Sequence, residues 1–219
     1  LLERLVVSAG VRADGSTFTS SMSNPLDQLS PRVSTRLQLT PLLSWNSSAG
    51  VHYQRPSYTI LGYQLDGALA NASQDLKYIQ SSHLVTGFRY DVPKVNTVVS
   101  VEGFYKAYKN YPMSVDKQLS LANLGADFGV IGNELVTSTS EGRAYGAEFL
   151  LQQRLYKGFY GILAYTYVRS EFTNGTDDYA PSSWDSQHLI SCTAGKRFKK
   201  NWEVGMRFLY SGGVPYTPF

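Results

Sequence analysis

The chain holds a single cysteine, Cys192, in 219 residues. One thiol cannot build a disulfide framework or a cysteine-rich metal site. Histidine is nearly as scarce: His52, His83 and His188 lie far apart, with no His-Glu-x-x-His spacing. Charge is thin as well. Asp, Glu, Lys and Arg make up 17% of the chain, below a soluble norm of roughly 25%. Lys+Arg 20 against Asp+Glu 17 leaves a net charge of +3, with no basic stripe of the kind that marks nucleic-acid binding. No run approaches the roughly 20 apolar residues that cross a bilayer as a helix. No charged start, apolar core and small-residue cleavage site opens the chain, so no signal peptide is expected.

What is present is aromatic and extended. Tyr 16, Gly 19 and an aromatic share of 13% exclude a disordered chain. Apolar residues recur with a period of 2, as strands require. Leu5, Val7, Ala9 and Val11 alternate with Ser8, Gly10 and Arg12. Val33, Thr35 and Leu37 alternate with Arg32, Ser34 and Arg36. Leu84, Thr86, Phe88 and Tyr90 alternate with His83, Gly87, Arg89 and Asp91, and Val99, Val101 and Tyr105 oppose Ser100, Glu102 and Lys106. Phe149 and Leu151 oppose Glu148, Gln152 and Arg154, and Val204, Met206 and Phe208 oppose Gly205 and Arg207. The pattern predicts about nine strands of about ten to fourteen residues, against a soluble average of about five or six. A tilted strand crossing a bilayer needs about nine to eleven.

The connections alternate. Residues 14–29, 56–80, 110–140 and 173–184 form long ones, and 40–44, 92–94, 156–158 and 199–201 form short ones. An up-and-down membrane barrel sorts its loops this way, long at the extracellular rim and short at the periplasmic rim. A sandwich has no reason to. The apolar set would then meet lipid, and Arg32, Arg36, Arg89, Glu102, Glu148, Arg154 and Arg207 would line a wet interior. Trp45, Tyr53, Tyr90, Tyr108, Tyr111, Tyr156, Phe159, Phe198, Trp202 and Tyr210 sit near strand ends, where interfacial aromatic girdles lie.

Catalytic chemistry is not visible. Ser191 and His188 share a strand but are three residues apart, so they face opposite ways. The glycine-rich stretch 125–132 lacks the Lys-Ser/Thr of a phosphate loop. Asp177-Asp178 reads as a solvated loop tip and not as a calcium site, which needs six to eight oxygens. No enzyme activity, cofactor or metal is expected. A soluble all-β binding module and a small passive porin remain as alternatives at this point.

Seven segments in order resemble the barrel of TonB-dependent outer-membrane receptors, especially the Bacteroidetes type. They are the opening strand from Leu5 to Val11-Arg12-Ala13-Asp14, Leu29-Ser30-Pro31-Arg32-Val33, Val51-His52-Tyr53-Gln54-Arg55-Pro56-Ser57-Tyr58, Phe104-Tyr105-Lys106, Gly142-Arg143-Ala144-Tyr145-Gly146-Ala147-Glu148-Phe149, Ala164-Tyr165-Thr166-Tyr167 and Tyr210-Ser211-Gly212-Gly213-Val214-Pro215-Tyr216-Thr217. The resemblance covers residues 1–219. It implies an all-β, antiparallel up-and-down transmembrane β-barrel segment, incomplete because the family's barrel has 22 strands. It also implies a plug domain and further strands outside this chain. Phe219 reads as a cut point and not as a barrel's closing residue. The function implied is active uptake, through the outer membrane of a Gram-negative bacterium, of a scarce nutrient such as siderophore-iron, haem, cobalamin or a glycan. Implied partners are outer-membrane lipid, the TonB complex acting through the plug, the small-molecule or glycan substrate and, in glycan-type members, a lipoprotein; nucleic acid is not among them. The loop aromatics Tyr58, Tyr63, Tyr78, Tyr111, Tyr179 and Trp184 are the expected stacking surfaces for substrate.

Overall fold

The computed structural model describes residues 4–125, 130–176 and 178–215. Asp177, Phe219 and the middle of the glycine-rich stretch lie outside the described residues. Nine long strands follow one another in a single antiparallel meander: β1 (Leu5–Ala13), β2 (Leu29–Gln38), β3 (Leu43–Gln54), β6 (Ile79–Val92), β7 (Thr97–Ser114), β8 (Val136–Tyr156), β9 (Phe159–Thr173), β11 (Gln187–Arg197) and β12 (Glu203–Ser211). Two-residue strands β4 (Gln64–Leu65) and β5 (Ala68–Leu69) make a small hairpin in one loop, and β10 (Tyr179–Pro181) adds to the end of β9. No pairing joins β1 to β12 among the described residues, so the sheet is open at both edges. No helix among the described residues is long and apolar enough to cross a membrane.

Loop lengths sort by rim as the sequence predicts. The tightest connection, Lys157-Gly158, has both residues at positive φ (50° and 85°), which suits the right-handed twist of a two-residue hairpin. A Cβ on Gly158 would fall 2.6 Å from the Arg197 carbonyl oxygen, so the turn needs glycine there. One boundary differs from expectation. The long 110–140 connection is shorter, because β7 runs on to Ser114 and β8 starts at Val136. Asn110 at φ 56° and register shifts around Tyr111 interrupt the period-2 pattern, which hid the strand ends. β7 and β8 therefore reach 18 and 21 residues and stand above their neighbours.

The sheet has one apolar and one polar face. Leu84, Phe88, Val101 and Tyr105 stand about half exposed on the apolar face, a breadth that water alone would not tolerate. Lys196, on that face at the short-turn rim, lies 4.2 Å from the centre of the Phe159 ring and 5.0 Å from that of Phe198. Such a stem lies along apolar surface while its charge reaches the rim. Tyr108 departs from the expected girdle. It pairs with Ser81 and Gly142 on the polar face.

The buried core lies at the long-loop end of the sheet, where Tyr53 and Tyr111 pack against it. It lies among the long loops. Met22, Ile60, Leu61, Leu76, Tyr78, Leu121 and Val136 are buried together, drawn from three connections and the start of β8. At its centre Asn71 is fully buried. Its Nδ2 donates to the Ile60 carbonyl at 2.8 Å and the Glu134 carbonyl at 3.0 Å, and its Oδ1 accepts from the Val136 N–H at 3.0 Å. Thr19 Oγ1 donates to the Leu76 carbonyl at 2.7 Å, tying the first loop to the second. The long loops thus form one cap.

A carboxylate adds to that tie. Asp75 accepts from the hydroxyls of Ser21 and Ser20 and from the Ser21 N–H. These hydrogen bonds, the Ser21 hydroxyl first, hold its carboxyl below the ordinary value of 3.8. A depressed carboxyl stabilises the fold above its unfolded pKa, and that contribution is lost as pH falls through the folded value. Amides of residues 16–23 in the intact protein should therefore exchange faster as pH drops below about 4, once intrinsic rates are corrected. Asp75→Asn should abolish that pH dependence; exchange in this loop that keeps the same pH dependence in Asp75→Asn would refute the tie.

Candidate functional site

Strand register places polar-face residues in rows across the sheet. The uppermost row under the cap reads His52, Ser81, Tyr108, Gly142, Phe172, from β3 to β9. Two residues below it runs a second row: Gly10, Arg32, Gly50, His83, Lys106, Ala144, Ser170. Four residues further down comes a third: Val6, Arg36, Asn46, Gly87, Glu102, Glu148, Thr166. The second row carries cationic and imidazole groups. The third sets two carboxylates side by side.

Phe172 anchors the top row. It is 2% exposed. Its ring centroid lies 5.2 Å from Tyr108 and 4.7 Å from Tyr111, with Trp184 edge-on at 6.5 Å. The ring reaches Tyr108 by lying across Gly142, where a Cβ would meet it at 2.3 Å. Between this row and the cap lies a cleft of about 660 Å³, within the range of small-molecule sites. Tyr108, Tyr111 and Trp184 form its aromatic side, Ile60 and Leu121 join it from the cap, and His52, His83 and Arg55 supply its polar groups. Among the described residues no Asp or Glu lines it.

Two histidines far apart in sequence meet here. The His52 and His83 rings are 4.5 Å apart at 38°, and Ser81 Oγ lies 2.6 Å from His83 Nε2. Among the described residues no group of three or more His, Cys, Asp or Glu could hold a metal ion. Arg32, Arg36, Arg55 and Lys106 have no acidic partner within 4 Å among the described residues, whereas Arg12 pairs with Asp14 and Arg89 with Asp91. Glu102 and Glu148 likewise lack a basic partner there.

The expected aromatic surfaces separate into distinct places. Tyr111 and Trp184 share the cleft. Tyr58 is 76% exposed at its edge, with the Arg55 guanidinium 4.6 Å from its ring centre. Tyr63 is half-buried in the second loop. Tyr78 is buried in the cap core and presents no surface. Tyr179 lies against Arg143, 4.3 Å from the ring centre, on the apolar-face side where Arg143 pairs with Glu171. His188 is also on that side, bonded to Tyr165 at 2.9 Å, while Ser191 pairs with Ala164 on the polar face. Sequence reasoning passed over Arg55, His52, His83, Tyr108 and Phe172 as a group. The signal was there in part: His52 and Phe172 stand near the long-loop ends of β3 and β9 on the polar face.

Comparison with known proteins gives the family. No curated protein matches the sequence significantly. Solved structures match in fold at low identity. The ferric-catecholate import receptor Fiu of E. coli K12 matches with a TM-score of 0.67 at 13% identity, covering 96% of this chain and 32% of that one. The copper transporter OprC gives 0.65 at 14%, covering 96% and 32%. The ferripyoverdine receptor of the Pseudomonas aeruginosa outer membrane gives 0.57 at 14%, covering 84% and 25%. The chain spans about a third or less of these proteins. A family model described as "TonB dependent receptor-like, beta-barrel" matches residues 1–219. The match runs over the whole chain, and this protein belongs to the TonB-dependent receptor-like β-barrel family.

Proposed function

We propose that residues 1–219 are barrel wall and extracellular loops of an outer-membrane receptor that actively takes up a scarce nutrient. Substrate, from the class of siderophore-iron, haem, cobalamin or glycan, binds in the cleft under the loop cap, and TonB supplies energy through a plug domain encoded elsewhere in the parent chain. The observation that carries this reading is the cleft itself. Three aromatic faces and unpaired polar groups converge beneath ordered loops, at the mouth of a lumen-facing wall. On this reading the polar face is the lumen and the apolar face meets lipid.

The test is the native polypeptide in its source cell. An antibody to residues 110–140 should detect, in the outer-membrane fraction, a heat-modifiable species several times heavier than 24.3 kDa. Its uptake activity should vanish when TonB is deleted. A species near 24.3 kDa, or one in the soluble fraction, would overturn the reading.

The third row supports a plug contact. Glu102 and Glu148 pair directly across β7 and β8. Like charges so placed cost up to about 1 kcal/mol if nothing neutralises them. Basic side chains of the plug are the proposed neutralising groups. Glu148→Lys in the intact receptor should weaken plug retention and uptake; normal values of both would discard the contact.

A further inference from the structure

We infer that the apolar face holds an anionic phospholipid at its short-turn rim, the phosphate on turn lysines and one acyl chain in a hollow above them. The inference rests on the receptor reading above, which sets that rim in the inner leaflet. Charge divides the two rims. Residues 40–42, 93–96, 157–158 and 198–202 hold Lys94, Lys157, Lys199 and Lys200 and no Asp or Glu. Residues 14–28, 55–78, 115–135 and 174–186, at the other rim, hold ten Asp and Glu against three Lys and Arg. The lysines are scattered along the chain and gather only because every short turn lies at one end of the meander. The acids nearest the turns, Asp91 and Glu203, stand on the polar face and pair with Arg89 and Arg197. Among the described residues no acid lies within 4 Å of the turn lysines or of Lys196.

The geometry around Lys196 builds the site. Lys196 pairs with Phe159 on the apolar face, its ammonium held over aromatic rings at the rim. Lys157 Nζ lies 5.4 Å from the centre of the Tyr156 ring. The Gly158 carbonyl accepts from the Arg197 N–H at 2.7 Å, so the Lys157 turn sits against the end of β11. Two residues above Lys196, Ala194 faces Gly161 on the same side of the sheet. With only a methyl group between them, a hollow of about 230 Å³ opens there, walled by Leu151, Phe159, Leu163 and Cys192. Its floor cannot rise at Gly161, where a Cβ would fall 2.8 Å from the Thr193 carbonyl oxygen. The hollow thus begins about 7 Å along the strand from Lys196, toward the membrane interior. Phosphate first and hydrocarbon next is the order a phospholipid presents; a free anion would have no use for the hollow. The turns add a separate sign. Lys157 and Lys200 hold φ of 50° and 63°, a backbone that glycine or asparagine adopts at less cost. Lysine at both positions points to a use for the charge.

The experiment uses the purified full-length receptor in detergent and native mass spectrometry. The probes are phosphatidylglycerol, phosphatidylcholine with the same acyl chains, and glycerol 3-phosphate. The wild type should retain phosphatidylglycerol at least fivefold more than phosphatidylcholine and should not retain glycerol 3-phosphate. Lys157→Gln with Lys196→Gln should cut the population carrying phosphatidylglycerol at least fivefold. Ala194→Leu, which fills the hollow and keeps every charge, should cut it as well. Lys196→Arg should preserve it, and Lys77→Gln, at the other rim, should leave it unchanged. Heat-modifiable mobility verifies that each variant is folded. Phosphatidylglycerol retained equally by the double variant and the wild type would overturn the inference. So would glycerol 3-phosphate bound as well as the lipid, since the lysines would then hold a free anion. The two readings fail separately. TonB-dependent uptake by a receptor that retains no phosphatidylglycerol removes the lipid site and leaves the receptor. Lipid retention that needs Lys157 and Lys196, without TonB-dependent uptake of anything, removes the receptor and leaves the site.

Discussion

Replacing Asn71 with alanine is expected to loosen the loop cap while leaving the sheet intact. The substitution strands the Val136 N–H and withdraws the donor from the carbonyls of Ile60 and Glu134, all in the interior of the cap. Each buried group left unsatisfied costs about 1–3 kcal/mol. A net loss of about 3 kcal/mol would raise the open population of the cap by roughly a hundredfold. Hydrogen exchange on the intact receptor should show that acceleration at residues 60–62 and 134–138, with strands β2 and β3 unaffected. Asn71→Asp keeps the acceptor but sets a buried carboxylate against two carbonyl oxygens and should be at least as disruptive. Equal protection in Asn71→Ala and wild type would mean that the cap does not depend on this side chain.

Phe172 gives the second large effect. Phe172→Ala removes a ring that touches Tyr108, Tyr111 and Trp184, and deletion of a buried phenylalanine costs about 3–5 kcal/mol. Gly142→Val should be about as damaging alone, because its side chain enters the space the ring occupies. Combined, the two should be milder than their sum, since valine then fills part of the vacated volume. Thermal unfolding of the extracted receptor, followed by loss of heat-modifiable mobility, measures all three. Strict additivity would show that the ring and Gly142 are not packed as described.

Much of this fold was legible without coordinates. Period 2 gave the face of Leu84, Val101, Glu102 and Arg36, because one face of the sheet is apolar and the other polar. Loop parity gave the meander. The resemblance gave the family. Two things were hidden for physical reasons. The cap core draws Met22, Ile60, Leu76 and Leu121 from three connections and Val136 from the start of β8, and no periodicity marks an apolar residue in a loop. The apolar pair Ile60-Leu61 inside a long connection was the available hint. The rows were hidden because His52 and His83 become neighbours only when register is known. Bulges near Tyr111 displaced the strand ends, whereas Tyr108 needs no bulge: it stands an odd number of residues from Val101 and Tyr105, so unbroken period 2 puts it on the polar face.

The meander also sets an order of assembly. Every long strand pairs with the long strand next to it in the chain, so the wall can grow by adding hairpins at a free edge, each closing a short stretch of chain. The cap is different. Its ties join residues far apart, such as Thr19 to Leu76 and Asn71 to Glu134, with separations of 57 and 63 residues. Non-local contacts form late, because chain entropy is lost before they repay it. The loop cap should therefore be the last part to fold, after the wall beneath has fixed the ends of its loops. Until then the upper end of the polar face stands uncovered.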